Sequence, residues 1–133
     1  MLRHTLLSTV LFTVLFTVFA ASAQAAPVLT TVAERSGFLT TGRYVEVEAL
    51  CRQFQARHPK QVRCVEFGRT PENRPMLALA VSSTGALTPE AAKLRKIPVL
   101  LVQGGIHAGE IDGKDAGFLA LREVLEGKAA PGA

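Results

Sequence analysis

The distribution of apolar and polar positions divides this chain into segments of different character. Residues 6–21 are almost wholly apolar, interrupted only by Ser8, Thr9, Thr13 and Thr17. Further on, Val47, Leu50, Cys51 and Phe54 follow i, i+3, i+4, i+7 spacing, which predicts a helix with one buried stripe. Thr41 is placed to cap that helix, Glu46 and Glu48 lie near its start where the helix dipole favours acids, and Pro59 ends it after His58. Residues 62–67 and 76–81 are runs suited to strands, joined by the turn-rich octet Gly68-Arg69-Thr70-Pro71-Glu72-Asn73-Arg74-Pro75, so a hairpin is predicted. A polar connection, residues 82–96, contains a short helical turn at 89–94. Ile97-Pro98-Val99-Leu100-Leu101-Val102 then predicts a third strand, whose unbroken apolar character implies burial on both faces. A last helix, residues 112–126, sets Phe118, Leu121 and Leu125 on one face and stops at Gly127. With an irregular lead-in at 27–41, this order indicates an α/β layered fold.

The apolar start has a specific explanation. Met1-Leu2-Arg3-His4 supplies a basic beginning, and Ala21-Ser22-Ala23-Gln24-Ala25 supplies small residues after the apolar run. That layout is expected of a secretory signal peptide over residues 1–25, cut after Ala25 and leaving residues 26–133 as the mature domain. Four hydroxyl residues make the run a poor permanent anchor, since a spanning helix needs about 20 apolar residues. The expected location is therefore exported, periplasmic or extracellular, with no stable membrane anchor after cleavage. An oxidising compartment permits a disulfide between Cys51 and Cys64, the only two cysteines; two buried thiols are the alternative. Composition adds two exclusions. At 48% hydrophobic and 20% charged, the chain suits a globular fold rather than a disordered one. The net charge of +4 comes from interspersed residues, and one Tyr with no Trp offers no stacking platform, so nucleic acid is not the expected partner.

The candidate chemistry lies where the third predicted strand ends. Ligands in open α/β sheets sit beyond the carboxyl ends of strands. There the chain reads Gln103-Gly104-Gly105-Ile106-His107-Ala108-Gly109-Glu110. Glycines allow a sharp turn, and an imidazole and a carboxylate with two residues between them can converge on one ion, a pairing that zinc accepts. A solvated glycine-rich turn is the plain alternative for an HxxE pair alone.

The segment from Gly105 to Gly113, read as Gly-Ile-His-Ala-Gly-Glu-Ile-Asp-Gly, resembles the zinc-binding segment of the carboxypeptidase A type zinc metallocarboxypeptidases. The octet from Gly68 to Pro75 is similar to that family's Gly-x-Ser/Thr-x-x-x-Arg-Pro turn, and Thr41-Gly42-Arg43-Tyr44 resembles the entry to its first helix. The resemblance implies that His107 and Glu110 are zinc ligands and that the substrate is a peptide or protein. It also implies that the fold is the N-terminal portion of a mixed β-sheet flanked by helices. Arg74 and the Gly68 turn are expected to be architectural. Asp112 and Asp115 read either as supporting groups of the metal site or as acids at a helix start, and the helix dipole favours the second reading.

The family also uses a later His as third ligand and a later Glu as general base. No His follows His107 in this sequence, His58 is a poor substitute, and Glu123 and Glu126 fall on the solvated side of the last helix. The expectation is an incomplete, N-terminal part of an exported zinc metallocarboxypeptidase, inactive by itself. Two alternatives remain open. One is a zinc-dependent N-acyl amino acid deacylase of the desuccinylase and aspartoacylase group, which has a related His-Gly-x-Glu segment. The other is a secreted remnant without catalysis.

Overall fold

A computed structural model describes residues 29–107 and 109–128; the expected leader, residues 1–25, lies outside them. The lead-in contains one short helix, α1 (Val32–Arg35). Thr31 accepts from the Glu34 amide and the Glu34 carboxylate accepts from the Thr31 amide, a reciprocal cap that lets a single turn persist. Helix α2 (Tyr44–Arg57) follows, with Arg43 at its N-cap. Thr41 does not cap it, because its hydroxyl donates instead to Asp115 at 2.6 Å.

Strands β1 (Val62–Arg69) and β2 (Pro75–Val81) form an antiparallel hairpin, paired from Val62 with Val81 to Arg69 with Pro75. Pairing shifts between Glu66 and Gly68, so Phe67 is the extra residue of a bulge and faces outward. The connecting turn closes through the Asn73 amide to the Thr70 carbonyl, 2.8 Å, and the Thr70 amide to the Arg74 carbonyl, 2.9 Å. The turn is thus built by Thr70, a left-handed Asn73 (φ 62°) and the Arg74 backbone, while the Arg74 side chain reaches only the exposed Glu72 among the described residues. Helix α3 (Pro89–Leu94) coincides with the predicted turn and is capped by Thr88. Helix α4 (Ile111–Leu125) closes the described chain.

The core is made by one stripe from each long helix and the first strand. Leu50 and Phe54 of α2, Val62 of β1, Phe118 of α4 and Leu29 are buried together, with Val47, Leu79, Leu121 and Leu125 packed against them. Phe54 stacks on Phe118 with ring centroids 5.8 Å apart, and this contact joins α2 to α4. Cys51 and Cys64 form a disulfide across 5.3 Å of Cα separation, tying α2 to β1. The open question between a disulfide and two thiols is settled in favour of the bond.

The third predicted strand is not formed. Among the described residues the sheet has two strands, and residues 97–106 form no regular element and pair with neither. Val99, Leu100, Leu101 and Val102 are 77–84% exposed. A run that is apolar on both faces needs neighbouring strands and a covering layer, and neither meets it here. The fold is a small α/β arrangement of helices on an antiparallel pair, consistent with part of a larger sheet domain.

Candidate metal centre

The segment between that extended run and α4 is shaped by its glycines. Gly105 adopts φ +68°, a left-handed conformation that L side chains rarely take. Gly104 lies directly against the first turn of α4. A Cβ on Gly104 would sit 2.8 Å from both the carbonyl carbon and oxygen of Gly113, and a Cβ on Gly113 would sit 3.1 Å from the Gly104 Cα. The two backbones touch because neither residue has a side chain. Within the loop so formed, the Glu110 amide donates to the His107 carbonyl at 3.0 Å.

This turn brings the predicted pair together. His107 Nδ1 and Glu110 Oε1 are 3.0 Å apart, and the His107 amide donates to the other carboxylate oxygen at 3.5 Å. Both side chains are open to solvent, 79% and 57% exposed, so their mutual attraction contributes little and the backbone holds the geometry. Glu110 is also the N-cap of α4, yet its carboxylate makes no cap bond and faces the imidazole instead.

A buried network fixes the helix that carries this turn. The Lys114 ammonium donates to Asp115 at 2.6 Å and to Glu46 of α2 at 2.9 Å, and Thr41 donates to the remaining Asp115 oxygen. The second Glu46 oxygen accepts from the Val32 amide at 2.5 Å. Burial pushes the Lys114 pKa down, but the hydrogen bonds to Asp115 and Glu46 outweigh it and raise the group above its ordinary 10.5. Asp115 is 7% exposed, and its role is this junction rather than the favourable dipole position expected from sequence. At the far end of α4, Arg122 grips the Glu34 carboxylate through both oxygens and donates to the Leu29 carbonyl at 2.8 Å.

The other sequence candidates lie elsewhere. His58 ends α2 with its Nε2 buried and without a hydrogen-bond partner among the described residues, and Glu123 on α4 and Glu126 at its C-cap are exposed. Among the described residues no three His, Cys, Asp or Glu side chains converge as a metal cluster. What the turn offers is two donors of the right kind. A nitrogen and an oxygen 3.0 Å apart fit adjacent ligands of one ion with bonds of about 2.0–2.2 Å. The sequence missed Lys114, Glu46 and the contact of Gly104 with Gly113, because each depends on residues that only folding brings together.

Comparison with curated proteins and with solved structures found no match. A family model described as zinc carboxypeptidase matches residues 47–131, which include the hairpin, the glycine turn and both His107 and Glu110. That span exceeds half of the chain, and the chain belongs to the zinc carboxypeptidase family.

Proposed function

We propose that this protein is an exported zinc-dependent peptide hydrolase in which His107 Nδ1 and the Glu110 carboxylate hold the metal. The observation that carries the proposal is their 3.0 Å convergence in a turn built by glycine backbone contacts. A zinc ion bound there would supply a Lewis acid able to polarise a peptide carbonyl and to acidify a water. The residues of this chain contribute placement. Gly105 sets the direction of the turn, and the contact between Gly104 and Gly113 fixes the pair against α4. Zinc there would take the Nδ1 lone pair and a Glu110 carboxylate oxygen as its donors. Two ligands hold an ion less firmly than the three of a catalytic site. Export is supported by the basic, apolar, small-residue order of residues 1–25, which also gives the disulfide an oxidising compartment in which to persist.

The test is zinc binding by the purified chain, read by competition with a chromophoric chelator. Wild type is expected to take up one zinc, and His107→Ala and Glu110→Gln are each expected to weaken uptake by roughly tenfold or more. Zinc uptake unaffected by either substitution overturns the assignment.

A further inference from the structure

Two features that build the metal turn weaken the helix that carries it. Gly113 must lack a side chain to meet Gly104, which puts a glycine in the first turn of α4. The Glu110 carboxylate stands at the N-cap position but faces His107, so the helix start has no side-chain cap. His107 and Glu110 are themselves exposed, and their mutual attraction adds little. The start of α4 therefore depends on bonds made behind it.

Those bonds come from the approach to α2, where the sequence reads Thr41-Gly42-Arg43-Tyr44, and from Glu46 in the helix turn that follows. Thr41 donates to one Asp115 oxygen and Lys114 to the other, while Lys114 also donates to Glu46. The Lys114, Glu46 and Asp115 side chains are only 8–19% exposed, so these bonds escape most of the solvent screening that weakens a surface pair. Gly42 has a specific part. A Cβ there would stand 1.8 Å from Glu46 Oε2 and 2.3 Å from its Cδ, so the carboxylate reaches Lys114 only because position 42 has no side chain. Thr41, Gly42 and Glu46 make no hydrogen bond to His107 or Glu110 among the described residues.

We propose that Thr41, Gly42 and Glu46 are positioning residues of the metal turn, acting through Lys114 and Asp115 on the start of α4. The proposal rests on the metal-site reading above and deepens it, because it makes cation affinity at His107 and Glu110 depend on bonds that span 68 and 74 positions of sequence. A junction that only stabilised the fold would loosen the core when broken. One that positions the turn loosens the turn first, while the stack of Phe54 on Phe118 holds the body of α4 in place.

Amide hydrogen exchange of the purified, metal-free chain, read by NMR, tells these apart. The Glu110 amide, bonded to the His107 carbonyl, reports the turn, and the Leu121 amide reports the body of α4. Thr41→Val and Gly42→Ala are each expected to speed Glu110 exchange roughly tenfold and to weaken zinc uptake by a similar factor, roughly tenfold. Thr41→Ser, which keeps the hydroxyl, is expected to behave as wild type. Val62→Ala, a cavity in the core that leaves every junction bond in place, is expected to speed Leu121 exchange and lower the melting temperature without changing Glu110 exchange or zinc uptake. Glu110 exchange that is unchanged in Thr41→Val and Gly42→Ala, or that quickens as much in Val62→Ala, overturns the proposal. The two readings fail separately. Zinc uptake that depends on His107 but not on Thr41 or Gly42 overturns the positioning role alone. Glu110 exchange that responds as expected in a chain taking up no zinc supports the hold on the turn and overturns the metal assignment.

Discussion

Replacing Gly104 by alanine would set a methyl carbon 2.8 Å from the Gly113 carbonyl, a distance at which backbone must move. The displaced segment is the one that aims His107 at Glu110. Gly104→Ala is therefore predicted to weaken zinc binding by roughly tenfold or more, as loss of a group orienting the ligands typically does. Gly109 has nothing within 4 Å of its missing Cβ, so Gly109→Ala should leave zinc affinity unchanged. Chelator competition on both variants distinguishes a positional constraint from a general dislike of side chains in the turn. A second prediction concerns Glu34. The Arg122 guanidinium bonded to it holds its carboxyl below the ordinary 4.5, against the opposing effect of burial, with the Thr31 amide helping. A lowered folded-state pKa means stability that is present above the unfolded value and lost as pH falls through the folded one. Glu34→Gln should thus cost about 2 kcal/mol at pH 7, and the penalty should shrink as pH falls below 4.5, as urea unfolding at several pH values would show. At this scale the sequence anticipated that His107 and Glu110 meet in one turn, because their spacing is local. It misread Asp115 and Thr41, whose partners lie 74 positions apart.

The elements divide by the reach of the signal that specifies them. Helix α2, the hairpin, α3 and α4 each follow from a periodicity or a turn contained in their own residues, and each was legible to within three residues at either end. The disulfide was not, since spacing permits it and only the packing of α2 against β1 brings the two sulfurs together. It closes a loop of 13 residues in sequence separation, for which chain entropy suggests about 3 kcal/mol. Replacing both cysteines by serine should lower the urea unfolding free energy by about that amount, and adding reductant to the wild type should reproduce the loss. Because Cys51 lies in the core beside Leu50 and Phe54, part of any deficit will reflect packing of the new hydroxyl. The predicted third strand failed for the opposite reason: its local signal is strong, but a strand exists only through its neighbours.

Across the whole molecule the apolar surface is unevenly placed. One stripe joins α2, α4 and β1 into a core, while Val99, Leu100, Leu101 and Val102 present a continuous apolar run to solvent. Such a run promotes association. Sedimentation of the purified chain should show concentration-dependent assembly, and Leu100→Lys should reduce it without lowering the melting temperature. Unchanged assembly in that variant would place the contact elsewhere. The order of predicted elements gave the α/β class, while composition, a global property, could not say which apolar runs would find cover. The meeting of Gly104 with Gly113 has a consequence of a different sort. In a core of side chains, a substitution that is too large can be offset by a smaller neighbour. Here both partners are already as small as a residue can be, so an enlarged Gly104 has no complementary change available at position 113. The pair admits no compensating exchange, and a lineage that loses one glycine can recover this turn only by reversion.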